Sequence, residues 1–397
     1  MFLQQLTMKN LLSFGDKPCV VPLLPLNVLI GPNGSGKSNF IETIGLLRAS
    51  PKDIASPIRE GGGMSDWIWK GSRWGAAVVE ALVDDQDFID TKIVSHRLCF
   101  RASAQSFNLV EEQLLVANEL SESGETKSGR RLFSYGIQDL GLSSQAILAT
   151  PEGEIILEEA HFDSGKSILA QRKDPQQFPE LTNLGELYER IQIYREWSFG
   201  RNTAPRLPQK TTQRNDRLTE DFSNLGMMLN RIRRESKTKQ RLLEMLNELY
   251  PNIDDFDVSV EGGTVQVFFQ EGNFTIPATR LSDGTLRYLC LLVILLQPSP
   301  PPLVCIEEPE LGLHPDVLPG LADLLREASQ RMQLVVTTHS DVLVDALSDT
   351  PEDIVICEKH EGATTMRRLE SDEMKVWLEK YTLGELWRSG ELGGNRW

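Results

Sequence analysis

The sequence predicts an α/β fold, a core of mostly parallel strands interrupted by inserted material. Three observations carry this reading. Strand-like and helix-like signals alternate over the first hundred or so residues and again after Leu281. A Gly-rich turn joins the apolar run Leu26–Ile30 to an amphipathic stretch from Lys37 to Leu47. From Leu181 to Tyr250 the apolar period becomes helical.

Each element has its own signal. Val20–Val21 and Leu26–Ile30, set around Pro22 and Pro25, predict short strands. Alternation at Ala76–Val83 and Lys92–Phe100 predicts two more, and residues 102–160 read as short strands between polar loops such as SESGETKSGR. Pro205 and Pro208 break the helical period near Arg201–Thr212, which predicts an exposed loop between two helices. Phe256–Val260 and Thr264–Phe269 form a hairpin turning at Gly262-Gly263. A helix follows Leu281-Ser282; Leu303–Ile306 is a strand, Pro315–Ser329 a helix, and Gln333–Thr337 and Ile354–Cys357 are strands before an amphipathic helical tail. This divides the chain into an N-terminal lobe (1–100), its β-rich continuation (101–180), a basic helical insertion (181–250) and a C-terminal lobe (251–397).

Composition narrows the class. A hydrophobic share of 40% and a charged share of 25% are ordinary for a soluble globular protein. The longest apolar run, Tyr288–Leu296, falls far short of the ~20 residues that span a bilayer. The N-terminus lacks a basic region followed by an apolar one, so no signal peptide is expected. The five cysteines stand singly and mostly in apolar surroundings, as small core residues in a reducing, cytoplasmic setting. A net charge of −16 argues against a surface coated with nucleic acid. One stretch opposes that trend: Arg190 to Arg241 holds thirteen Lys/Arg against five Asp/Glu. It reads as a solvated helical face or as a contact surface.

NVLIGPNGSGKSNF is a strand, then G-x-x-x-x-G-K-S from Gly31 to Ser38, then a helix. Glycines in such a turn let successive N–H groups face phosphate oxygens, and the helix adds the positive end of its dipole. In this P-loop Lys37 reaches the β/γ-phosphates and the Ser38 hydroxyl ligates Mg²⁺. Such a loop needs an acidic strand end, and LVCIEEPELGLHP supplies one. Leu303 to Ile306 form the buried strand, Glu307 takes the Mg²⁺ side, and Glu308 faces the attacking water.

Two further stretches set the class. RLSDGTLRYLCLLVILL places Ser-Asp-Gly-Thr at the start of a buried helix, and LVVTTHSDVLV ends a strand in Thr-His-Ser. With the P-loop and IEEPELGLHP, these resemble in order the Walker A, signature, Walker B/D-loop and switch-histidine motifs of ABC-type ATPases. They look most like the RecF/SMC branch and its OLD-like relatives. The opening LTMKNLLSFGD is similar to that branch's first strand and turn, with Leu11 where many members have Phe. PIREGGG and REWSFGRN also resemble stretches of small bacterial RecF-like ATPases.

The resemblance implies a P-loop NTPase of ABC/RecF type, with a mostly parallel sheet, an antiparallel β subdomain and a helical insertion. It implies ATP and Mg²⁺ as cofactors and hydrolysis of ATP. Asn33, Gly34, Ser35, Gly36, Lys37, Ser38 and Asn39 would line the phosphates. Ser282 and Gly284 would contact the γ-phosphate of nucleotide on the other protomer, which implies an ATP-sandwich homodimer. Glu308 would position or deprotonate water, and His339 would sense the γ-phosphate.

Glu307 departs from the Asp of most members. The Q-loop ligand is either Gln171 or not identifiable, with Gln171 equally readable as a surface glutamine and Gln86 a weaker choice. The chain between Ser38 and Ser282 is too rich in Pro, Gly and strand signals for a long heptad coiled coil. The segment after His339 shows no acidic cluster of the OLD nuclease kind, and Asp84-Asp85 and Glu370–Glu373 read as solvated charges. An ATP-driven switch acts either on DNA, through 190–241 in maintenance, repair or phage defence, or on a separate effector protein. A transporter role is opposed by the signature and the insertion.

Overall fold

A computed structural model describes residues 1–72, 76–85, 92–103, 106–120, 126–136, 145–150, 152–157 and 162–394. The chain forms two compact units, each discontinuous in sequence. The first comprises Met1–Ile191, Asp353–Leu369 and Leu392–Trp397; the second comprises Gln192–Glu352 and Glu370–Glu391.

Among the described residues, the first unit holds an antiparallel sheet of eight strands. Their order is Cys19–Pro22, Leu3–Lys9, Ala77–Asp85, Lys92–Ser103, Ser106–Leu120, Thr126–Gly136, Gln145–Thr150 and Gly153–Leu157. The strands expected to be short between 102 and 160 include one of 15 residues, Ser106–Leu120, entered from the 12-residue Lys92–Ser103. Glu111 and Gln113 on the outward side of the alternation gave this segment its loop-like polarity. Asp84, read as loop charge, lies on the strand Ala77–Asp85 and is 4.0 Å from the terminal amine of Met1.

Glu112, on the inward side, is fully buried and satisfied. Its oxygens take the Ser167 hydroxyl at 2.5 Å, the Ile168 N–H at 2.8 Å and His96 Nε2 at 3.1 Å. His96 Nδ1 in turn lies 3.3 Å from the hydroxyl of buried Tyr188.

The same unit contains the strand Leu26–Ile30, buried at every residue, followed by the helix Lys37–Ala49. Val28 to Ile30 run parallel to Ile354–Ile356, and the strand Ile354–His360 pairs antiparallel with Ala363–Arg368. A strand covered on both faces does not alternate, hence the continuous apolar run.

In the second unit Gln192–Tyr194, Leu303–Glu307 and Gln333–Thr337 form three parallel strands. The helix Asp283–Leu296 is buried from Thr285 onward, Arg287 included. A smaller antiparallel sheet joins Gln209–Lys210, Asp255–Glu261, Thr264–Glu271 and Phe274–Pro277.

The region read as helical from 181 to 250 contains the helices Pro179–Glu189, Leu225–Ile232 and Ser236–Leu249, with the buried strand Gln192–Tyr194 between. A three-residue strand is shorter than one helical turn, so its periodicity is invisible in sequence. The expected break at 201–212 is exposed at Arg201, Asn202, Leu207, Pro208, Lys210 and Thr212, but it also holds a 3-10 turn, Ala204–Arg206, in which Pro205 and Arg206 are buried, and the short strand Gln209–Lys210. Among the described residues, no helix is long and apolar enough to cross a membrane.

Candidate functional site

The P-loop of the first unit is held open by its backbone. Gly36 adopts φ 107°, in the left-handed region, and a Cβ there would overlap Thr364 Oγ1 and Ser13 Oγ. The helix that follows has no side-chain cap at its N-terminus, leaving N–H groups directed outward at the positive end of its dipole. Ser35 Oγ is buried and has no hydrogen-bond partner among the described residues. Lys37 is buried, its Nζ donating to the Gly31 carbonyl at 2.7 Å and the Pro32 carbonyl at 3.2 Å. Asn33, Gly34 and Ser38 are exposed, and Asn39 Nδ2 donates to Ser13 Oγ at 2.7 Å. An uncapped helix start, an unsatisfied buried hydroxyl and an ammonium together fit an anionic phosphate.

In the second unit the strand Leu303–Glu307 ends in the two glutamates. Glu307 Oε1 lies 3.2 Å from Arg195 Nη2. Glu308 turns into the left-handed region with φ 47°, an uncommon conformation for a residue with a Cβ. Its N–H donates to the Thr337 carbonyl at 2.9 Å, and its Oε1 lies 3.7 Å from His339 Nε2. The first carboxylate thus faces Arg195 and the second faces His339, so each acidic group at the strand end has its own partner.

Glu310, three residues beyond Glu307, accepts the His339 N–H at 2.8 Å. Burial pushes its carboxyl above the ordinary value, with the His339 N–H opposing.

Ser282 caps the buried helix: its Oγ accepts the Thr285 N–H at 3.0 Å. At Gly284 a Cβ would stand 2.7 Å from the Gly312 carbonyl, so only glycine allows this approach of helix and turn. Ser282, Gly284 and Thr285 line one cleft of about 650 Å³ together with Gly312 and His314. Arg206 braces the segment before the helix. It donates to the carbonyls of Phe199 at 2.7 Å, Leu281 at 2.8 Å and Thr279 at 3.1 Å, and its guanidinium also pairs with Asp283.

Two sequence expectations, Gln171 and the basic stretch, meet surroundings the sequence did not show. Gln171 is committed to its own loop: its Oε1 accepts the Asp163 N–H at 2.9 Å and its Nε2 donates to the carbonyls of Asp163 and Lys166, both at 3.0 Å. An amide so engaged staples its own loop, from Asp163 to Gln171. Gln86 lies outside the described residues. In the basic stretch Arg195, Arg206, Arg214, Arg233, Lys239 and Arg241 all pair with carboxylates, several of them contributed from outside the stretch. Counting charges along the sequence could not reveal these distant partners. The sequence also gave no role to Arg206, Trp197, Arg287 or Thr364. A lone cation inside an otherwise apolar helix was the available signal for Arg287.

A family described as "AAA domain, putative AbiEii toxin, Type IV TA system" matches residues 26–345. The chromosome partition protein Smc of Clostridium kluyveri (strain NBRC 12016) is 28% identical over 173 residues, covering 40% of this chain and 14% of that protein. The chain therefore spans only a small part of the curated relative's length. Among solved structures, an Smc head bound to the C-winged helix domain of ScpA gives a TM-score of 0.55 at 15% identity, covering 94% of this chain and 99% of that one. An Smc head with an extended coiled coil, bound to the C-terminal domain of ScpA derived from Pyrococcus furiosus, gives 0.55 at 14% identity over 96% and 99% of the two chains. These likenesses establish the mixed α/β fold of an Smc head. Because the family match covers most of the chain, from the P-loop strand through both glutamates to the residues past His339, the chain belongs to this family of AAA ATPases.

Proposed function

We propose that the chain hydrolyses ATP within an ATP-sandwich homodimer, as a switch that controls a separate partner protein. The observation that carries this reading is Glu308, turned at φ 47° to bring its carboxylate within 3.7 Å of His339 Nε2. A carboxylate and an imidazole so placed suit a general base and the group that orients it. Ser35, Gly36 and Lys37, with exposed Asn33, Gly34 and Ser38 and the neighbouring Asn39, would hold the phosphates. Ser38, next to the phosphate-holding residues, offers an oxygen donor of the kind Mg²⁺ prefers, and bound Mg²⁺ would neutralise phosphate charge. Ser282 and Gly284, at the wall of their cleft, would reach the nucleotide held by the second subunit.

The pairing of the basic stretch supports a protein partner over DNA, since cations already matched to carboxylates add little to phosphate binding. The Smc heads of this fold are bound to ScpA domains, a precedent for a partner seated on such a head. Action on DNA in maintenance, repair or phage defence is the second reading, kept by exposed Arg201, Lys210, Arg234 and Lys237, which make no ion pair among the described residues.

Glu308→Gln tests the proposal. Turnover should fall at least about a hundredfold while ATP binding persists and a dimer accumulates on size exclusion. Normal hydrolysis by this variant would falsify the assignment. DNA affinity that falls steeply with salt would favour the second reading.

A further inference from the structure

The two glutamates are gripped by their carbonyls. Trp197 Nε1 donates to the Glu307 carbonyl at 2.7 Å, and Arg287 Nη2 donates to the Glu308 carbonyl at 2.8 Å. The two gripping groups are stacked, with the Arg287 guanidinium 4.5 Å from the Trp197 ring centre. Trp197 is itself fixed in an aromatic cluster, 5.4 Å from Phe222, whose ring lies 5.3 Å from Phe199 and 5.9 Å from Tyr194. Phe222 has φ 58°, a conformation that a bulky side chain holds only when its surroundings over-determine it.

Arg287 is buried on a helix that is otherwise apolar from Leu286 to Leu296. Burial pulls its guanidinium down to about 10, with the nearby Glu310 and Glu308 charges opposing. A cation buried at that cost, aimed at the carbonyl of a left-handed residue, has a more specific task than filling space.

We propose that Arg287, stacked on Trp197, is a positioning residue for hydrolysis. It locks the left-handed turn at Glu308 and ties that turn to the helix opened by Ser282. The Glu308 backbone is then fixed from both sides, its N–H on Thr337 and its carbonyl on Arg287. Engagement of Ser282 and Gly284 by nucleotide would be felt at Glu308 through five residues of one helix. The inference rests on the reading of Glu308 as the group that handles water.

The test compares Arg287→Met, Arg287→Lys, Trp197→Phe and Glu308→Gln in the full chain, each with kcat, KM and ATP affinity measured. Arg287→Met should lower kcat about a hundredfold with ATP affinity within about twofold, the scale expected when a catalytic group is displaced by an ångström. Arg287→Lys should recover only part, because an ammonium lacks the planar face and fork. Trp197→Phe keeps the ring and loses the donor. It should lower kcat about tenfold and serves as the decisive variant if Arg287→Met does not fold. Combined with Glu308→Gln, Arg287→Met should add no further loss, whereas independent effects would multiply. Wild-type kcat in folded Arg287→Met or in Trp197→Phe, beside an inactive Glu308→Gln, overturns the clamp and leaves the Glu308 reading intact. Parallel losses of kcat and ATP affinity overturn it as well. An active Glu308→Gln overturns the underlying reading instead.

Discussion

Thr364 donates its hydroxyl to the Ser35 carbonyl at 2.8 Å, joining positions 329 residues apart in sequence. Its backbone N–H donates to the Ser13 carbonyl, also at 2.8 Å. The P-loop therefore rests on a strand from the far end of the chain, and phosphate binding should depend on a residue that touches no phosphate. Thr364→Val keeps the shape and leaves the buried Ser35 carbonyl without this donor, a loss of about 1–3 kcal/mol. ATP affinity by titration calorimetry should fall about tenfold or more. Unchanged affinity would mean that the loop holds its form without the anchor.

Arg206 holds the segment before Ser282 through three carbonyls and Asp283. Lysine cannot reproduce that fork. Arg206→Lys should lower ATP turnover about tenfold or more, while ATP binding at the P-loop stays near wild type. Equal loss of both quantities would show general damage to the fold.

Glu112 and His96 form a buried pair beneath the long antiparallel sheet. Removing Glu112 should cost at least about 3 kcal/mol, because His96 Nε2, the Ser167 hydroxyl and the Ile168 N–H all lose a buried acceptor at about 1–3 kcal/mol each. Urea unfolding of Glu112→Ala should show this, and the double change Glu112→Leu with His96→Leu should be less destabilising than Glu112→Ala. The reverse order would refute the pairing account.

Glu310 gives a pH signature. Its carboxyl is raised in the folded state by burial, so its stabilising contribution is complete below the ordinary value of 4.5 and is lost as pH rises through the raised folded value. Glu310→Gln keeps an acceptor for the His339 N–H and removes the titration. The melting temperature of the variant should gain on wild type as pH rises from about 4 to 7. A constant difference across that range would show that Glu310 is not strained by burial.

Much of the fold was legible because its signals are local. The run from Leu303 reads as a strand ending at the glutamates, and the structure ends that strand at Glu307. The Gly-rich turn reads as a loop into a helix at Lys37, where the helix begins. The buried helix after Ser282 announces itself by its apolar length. The 15-residue strand at Ser106 was harder, since its outward polar residues imitate loop composition. The strand Gln192–Tyr194 is too short to show any period.

The sequence alone therefore determined which backbone segments are strands and helices near the P-loop, the two glutamates and Ser282, and which residue types stand at their ends. Tertiary structure decided which polar groups remain available there. It engaged the Gln171 amide within its own loop, matched six of the thirteen cations of 190–241 to carboxylates, and set Arg287 and Trp197 on the carbonyls of Glu308 and Glu307. The reason is physical. A turn or strand end is fixed by the torsional preferences of adjacent residues, whereas a hydrogen bond or ion pair is fixed by whichever partner folding brings within about 3 Å, however distant in sequence.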